Sequence, residues 1–572
     1  MNSSYLIPIL NPLPGNFAAN SIAMYKQSTL FVSLSLFLLS CVPQAKKMMR
    51  ADRAYQNRFQ EHVSYLASDS LEGRRTGTRG EVLASKYISE QFRRAGLMPR
   101  GLDGFVQPFE VNEGKKPQPG SYLLFQGDTL SADKDYFFFP WSAKAEVKDK
   151  SLSGVREVNT LWILDLKDGI SDNAGNPHFD LGTYIYEQSK KAATAGATAL
   201  LLYNTHPAGD KLLFQPKDRT ETLTIPVAYL RKESAIQNIL ASKGPIYVEA
   251  RIAFEENIRR GYNVIGYLDN KSDKTIVLGA HYDHLGYGED NNSRHTGAPD
   301  IHNGADDNAS GTAMLIELAR LLKGKSNQKN NYLFIAFSGE ELGLYGSKYF
   351  TEKPSVDLRS INYMINMDMV GRLPDSSKTI TLGGYGTSPA WSKVIDPQKN
   401  ELLGIRIDSS GTGPSDHSSF YRKDIPVLFY FTGLHTDYHK PSDDADKINY
   451  SGMVRILRHI ENTIGGLNEE PKLAFLKTRE AQTTTTARFS VTMGIMPDYT
   501  YSGKGVRADG VGEGKPAQKA GLKAGDVVLQ IGEYSISSME SYMQTLGKFK
   551  KGDTVKVVYQ RGDKTEEVNV TF

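Results

Sequence analysis

Four apolar runs in the second half of the chain each end in residues able to bind a metal or move a proton. Thr275–Ala280 leads into His281-Tyr282-Asp283-His284, Asn331–Phe337 into Ser338-Gly339-Glu340-Glu341, Tyr363–Met367 into Asp368, and Val427–Gly433 into a loop ending Tyr438-His439. Runs this rich in β-branched and aromatic residues read as strands buried on both faces. With helix-forming segments such as Gly311–Gly324 between them, they predict a mostly parallel sheet flanked by helices. An open sheet of that kind carries its chemistry in the crevice beyond the carboxyl ends of its strands. Residues spread over about 160 positions therefore converge if these strands lie side by side.

The rest of the chain frames this core. At 572 residues, with 39% hydrophobic and 23% charged residues, it is long enough for three or four globular units. A net charge of +3 leaves no basic footprint, so nucleic acid is not an expected partner. The only cysteine, Cys41, follows an apolar run over Leu30–Ser40 preceded by Met24-Tyr25-Lys26. That run is too short to span a bilayer and fits a signal-peptide core, with the true start at Met24. Leu38-Leu39-Ser40-Cys41 resembles the lipobox of bacterial lipoproteins, which implies a signal segment with lipobox over 1–41, cleaved before Cys41, and a lipid anchor at Cys41 on an exported, periplasmic or cell-surface protein.

Residues 50–116 carry two helical patterns, over 54–68 and 80–97, separated by the Gly-rich loop Leu71-Glu72-Gly73-Arg74-Arg75-Thr76-Gly77, for which a simple connector is the plainest of the readings open. From 117 to 257 the pattern turns to strands around one helix ending at Gly196. This segment resembles the protease-associated domain, an inserted α+β module, through its helix–Gly-Ala–strand step and its Ile225-Pro226-Val227 strand. The catalytic segment is expected over 258–468 and a polar linker, with Thr483–Thr486, over 469–487. Residues 488–572 resemble a β-rich PDZ domain: Thr492-Met493-Gly494-Ile495 stands where that family has its carboxylate-binding loop, and Pro516-Ala517 and Gly521-Leu522 match its first helix and following turn. The resemblance implies a peptide C-terminus as a partner of this domain.

Imidazole and carboxylate donors together suit zinc. A pair of cations needs at least one bridging ligand, which a carboxylate supplies. Asp307, in Gly304–Gly311 at the entrance to a helix, is the candidate bridge, although Asp306, Asp307 and Asn308 are also common helix caps. His281 and Asp283, two apart on an extended segment, face the same side, so that Asp283 can orient the imidazole. Of the adjacent Glu340 and Glu341, one can bind metal while the other serves as general base.

The stretches GAHYDH, GADDNASG, SGEELGLYGS, NMDMVG, SDHSSF and DYHKPSDD resemble the co-catalytic two-zinc aminopeptidases, the metallopeptidase family that includes glutamate carboxypeptidase. The resemblance implies two zinc ions per chain, one held by His281 and Asp368, the other by Glu341 and His439, with Asp307 rather than Asp306 between them. It makes Glu340 the base, Asp283 the orienting group of His281, and Tyr438 an oxyanion donor. Asp416 and His417 fall behind the site, while His284 and His435 receive no metal role. The expected activity is removal of N-terminal residues from peptides or proteins. A carboxypeptidase or dipeptidase of the glutamate-carboxypeptidase type, and a non-catalytic surface peptide-binding protein, are the alternatives.

Overall fold

The computed structural model describes residues 49–572 except 174–178, 208–211, 243, 291, 326–327, 401, 479–490, 499–500, 502, 513 and 538. The lipobox and the Thr483–Thr486 linker lie outside the described residues. Among those described, no helix is long and apolar enough to cross a membrane.

The central sheet runs in the order Met98–Pro99, Phe254–Leu268, Asn331–Phe337, Thr275–His281, Ile361–Met367, Val427–Phe431, Thr379–Gly383, Gly404–Ile407, with Val106–Pro117 paired to Phe254–Leu268. The four strands from Asn331–Phe337 to Val427–Phe431 are parallel neighbours, and they are the four apolar runs of the sequence. Three of them are buried at every position, as strands covered on both faces must be. The chain passes from Thr275–His281 to a neighbour on one side, then returns to its other side at Ile361–Met367. That reversal makes the carboxyl end of Thr275–His281 a topological switch point, where such sheets open a crevice.

Helices cover both faces. On one side Arg79–Arg94, Gly311–Lys323 and Tyr450–Gly466 pack with the helix over 49–66 into the largest core, around Phe92, Met314, Phe334 and Leu457. On the other, Tyr345–Glu352 and His417–Tyr421 contribute Phe350 and Phe420 to a second core. Helix Gly311–Lys323 is buried nearly all round, and its Glu317 is fully enclosed. Arg58 donates to Glu317 at 2.7 Å, and His62 lies 3.2 Å from it while its other ring nitrogen meets the Tyr87 hydroxyl. Burial acts to raise the Glu317 carboxyl, but His62 and Arg58 outweigh it and hold the group below its ordinary value. Its contribution to stability is therefore present above the ordinary carboxylate pKa and lost as the pH falls through the depressed one. Glu317→Gln should cost about 1–2 kcal/mol near neutrality, Arg58 being partly solvated. Urea unfolding of both proteins should show the difference shrinking as the pH is lowered below about 4.

The insert leaves the central sheet at Pro117 and returns at Phe254, which are register partners. The catalytic sheet therefore begins four residues before the expected 258. Between these points lie two four-stranded sheets. Asp128–Thr129, Tyr122–Phe125, Ile246–Ile252 and Ala145–Ser151 form one; Tyr136–Phe138, Val227–Leu230, Ala199–Tyr203 and Leu161–Asp165 form the other. Two apolar clusters of the insert's own hold them. The C-terminal unit is a third body with its own core around Met493, Val528, Tyr542 and Val557. Its sheet starts at the edge strand Ile495–Pro497 and ends in the hairpin Thr554–Arg561/Lys564–Thr571, as the turn at Arg561-Gly562-Asp563 predicts.

Candidate metal centre

The residues that close the parallel strands meet at one point. His281, the last residue of its strand, places Nε2 3.2 Å from Asp368 Oδ1 and 3.4 Å from Asp307 Oδ1. His439 places Nε2 3.3 Å from both Asp307 Oδ2 and Glu341 Oε2. The two oxygens of Asp307 thus face two different histidines, which is the arrangement a bridging carboxylate requires. Groups of donors close enough to share one ion are His281–Asp307–Asp368 and His284–Asp307–Glu341, with Asp307 common to both.

Asp307 is held by its backbone. The amides of Asp306 and Asp307 both donate to Asp443 Oδ2, at 2.9 and 3.0 Å. Asp306 turns away, its Oδ1 accepting from the Gly371 amide at 2.6 Å and the Ser310 hydroxyl at 3.0 Å. The ambiguity of the Asp-Asp pair is resolved by these bonds: Asp306 ties two loops together, and Asp307 is presented to the crevice.

Each imidazole has a defined tautomer. His281 Nδ1 lies 3.2 Å from the Asp283 carbonyl, and His439 Nδ1 lies 2.8 Å from the Asn292 carbonyl. A carbonyl can only accept, so Nδ1 is a donor in both rings, which leaves Nε2 as the atom that would face a cation. The orienting atom of Asp283 is therefore its backbone oxygen. Its carboxylate sits 3.7 Å from Nδ1, beyond hydrogen-bond distance, and serves elsewhere: it accepts from Thr76 Oγ1 at 3.0 Å and from the amides of Glu340 and Glu341 at 3.2 and 3.4 Å. Asp283 thereby fixes the loop that carries both glutamates.

The electrostatics call for cations. Burial acts to lower the His281 and His439 imidazoles, yet Asp368 and Glu340 push the first well above its usual value, and Glu341 and Asp307 push the second up to about 11. Burial raises the Glu340 carboxyl well above the carboxylate range; His281 opposes this, while Glu341, Asp368 and Asp416 add to it. So many enclosed carboxylates with so little compensating charge are costly unless metal ions join them.

Tyr438 lies against His439, ring centres 3.9 Å apart. Burial, together with Asp307, Glu341, Glu340 and Asp368, drives its phenol far above the ordinary value, so it stays protonated and able to donate. Asp416 and His417 are enclosed behind the site, His417 stacked on Phe429 at 4.4 Å. His435 reaches within 3.2 Å of Asp306.

Two features escape the sequence reading. His284 is buried, with Nδ1 2.8 Å from Glu341 Oε1 and 3.9 Å from Asp307 Oδ2. Burial, outweighing Asp307, keeps it neutral. The second feature is the loop at 71–77, which is far more than a connector. Arg74 is fully enclosed and donates to the carbonyls of Leu66, Tyr282, Asn303 and Gly304. Arg75 makes a two-bond pair with Asp290, both at 2.8 Å. Gly73, at φ +67°, could carry no side chain: a Cβ would meet Gly286 O at 2.6 Å and His302 O at 2.7 Å. The loop thus clamps both the strand end at Tyr282 and the segment leading to Asp307. The Gly between a Glu and two Arg was the available signal.

Comparison with known proteins gives two domain matches: peptidase family M28 over residues 263–464 and the PDZ domain over residues 491–572. Aminopeptidase YwaD of Bacillus subtilis is 26% identical over 399 residues, covering 67% of this chain and 78% of that protein. A probable leucine aminopeptidase of Trichophyton verrucosum is 28% identical over 251 residues, covering 42% of this chain and 64% of that protein. Leucine aminopeptidase 1 of Pyrenophora tritici-repentis is 30% identical over 222 residues, covering 35% and 54%. This chain thus spans less than two thirds of the two fungal proteins.

Proposed function

We infer, from the membership of residues 263–464 in peptidase family M28 and from the donors gathered there, that the protein is a metallo-aminopeptidase that hydrolyses the N-terminal peptide bond of peptides. The observation that carries this reading is Asp307, whose two oxygens face His281 at 3.4 Å and His439 at 3.3 Å. The mixed imidazole and carboxylate set, with both Nδ1 protons committed to carbonyls, fits two zinc ions. His281, Asp307 and Asp368 would hold one; Asp307, Glu341 and His439 the other. Bound zinc supplies Lewis acidity toward the scissile carbonyl and lowers the pKa of water.

The chain's own groups do the rest. Glu340, its backbone pinned by Asp283, takes a proton from the attacking water and returns it to the leaving amine. Its carboxylate stands beside the donor set, Oε2 3.9 Å from His281 Nε2, within reach of a water held there. The Tyr438 hydroxyl is a donor for charge developing on the carbonyl oxygen, an interaction worth about 3 kcal/mol where it is made. His284 donates Nδ1–H to Glu341 and orients it, leaving the ligand position to His439. The two histidines therefore separate experimentally. His439→Ala should lower zinc content by about one ion per chain by elemental analysis. His284→Ala should keep both ions at saturating zinc and weaken binding by about 10–100-fold; equal stoichiometric loss in both would reverse the assignment.

Hydrolysis of free-amine aminoacyl reporters, abolished by chelation and restored by zinc, tests the activity. Acceptance of N-blocked peptides instead would favour the carboxypeptidase reading. Export and lipid anchoring at Cys41 rest on the N-terminal sequence alone, and mass spectrometry of the membrane fraction tests them.

A further inference from the structure

The C-terminal unit is fastened to the body of the enzyme at two places. Asp498, which follows the edge strand Ile495–Pro497, is enclosed and pairs with both Arg507 of its own unit and Lys348 of the catalytic domain. Lys548 pairs at 3.2 Å with Asp180, the residue that caps helix Leu181–Thr194 of the insert. Lys348 belongs to helix Tyr345–Glu352, and that helix is the direct continuation of the catalytic loop: the amides of Gly343 and Leu344 bond back to the Glu340 carbonyl at 2.8 and 3.0 Å.

The polarity of the edge strand then matters. Among the described residues Ile495–Pro497 pairs on one side only, with Val506–Val511. A peptide added to the free side would place its carboxylate at the loop before the strand, Thr492–Gly494, where Gly494 takes φ +78°. Its body then runs along 495–497, and its amino end emerges at Asp498. That is the end joined to the catalytic helix. A ligand held by its C-terminus is therefore delivered N-terminus first toward the domain that removes N-terminal residues.

We propose that this strand is a second binding site for the substrate itself, so that the enzyme engages peptides of about ten or more residues at both ends, with their free carboxylate in the C-terminal unit and their free amine at the metal centre. The proposal rests on the aminopeptidase reading above. Lys348 is seven positions beyond Glu341, a span of at most about 25 Å even if extended. Three or four residues on the edge strand and six to nine to cross cover that distance at ~3.3 Å each. Tethering at the second point raises the local concentration of the amine end.

The test needs only the full-length holoenzyme and a peptide series with one N-terminal sequence and increasing length, each with a free or amidated C-terminus. KM should fall by about tenfold or more once the free-acid peptides exceed roughly ten residues, and amidation should abolish that gain without altering kcat. An N-acetylated, free-acid twelve-residue peptide should compete with long substrates and leave an aminoacyl reporter untouched. Equal KM for acid and amide forms at every length overturns the proposal, as does equal inhibition of the short reporter, which would place the peptide in the active site. Failure of the reporter to be cleaved at all would instead overturn the aminopeptidase reading.

Discussion

Glu340→Gln should leave zinc content unchanged and lower kcat by about 10²–10⁴-fold, with KM little altered. The side chain keeps its size, and the loop is held by the backbone bond to Asp283 at 3.2 Å, so the substitution removes proton affinity and little else. A protein that only captured peptides would show no turnover to lose. Single-turnover assays on an aminoacyl reporter, with elemental analysis of the same sample, separate loss of chemistry from loss of metal. Activity within tenfold of the wild type would remove Glu340 from the role of base.

Arg74→Met should be the most destabilising change near the site. The guanidinium is wholly buried, bonds four carbonyls, and lies among Asp307, Asp283, Asp443 and Glu341, whose charges support it while burial lowers it to about 10. Methionine fills much of the volume but strands those carbonyls and removes an enclosed positive charge beneath the carboxylates. Loss of one partner of such a network costs about 3–5 kcal/mol. Thermal unfolding in the presence of chelator isolates this effect from metal binding. Melting within a degree or two of the wild type would mean that the clamp is dispensable.

The strands and their chemistry were legible because both signals are local. A buried parallel strand must be apolar throughout, so Asn331–Phe337 announces itself, and the polar residue that ends it stands out. Glu317 shows the limit: within an apolar helix it is an anomaly, but its partners Arg58 and His62 lie more than 250 positions away. The same limit hid Arg74, since an Arg-Arg pair in a Gly-rich loop is ordinarily solvated and only the closed fold reveals four waiting carbonyls. His284 was missed because its position follows from the turn after the strand ends at His281. The sequence puts Asp283 beside His281 but does not say which of its oxygens faces Nδ1, because that depends on backbone direction beyond the strand.

The pairing of Pro117 with Phe254 has a consequence for the entropy of the chain. The insert's ends stand one strand spacing apart, ~5 Å, a gap that a hairpin turn of two to five residues closes. Some 136 residues bridge it instead, about five doublings of loop length and roughly 3 kcal/mol of closure entropy for a flexible loop. The two apolar clusters of the insert order much of that length from within, which offsets the closure cost a flexible loop would carry. The catalytic sheet therefore meets the insert as it would a short turn.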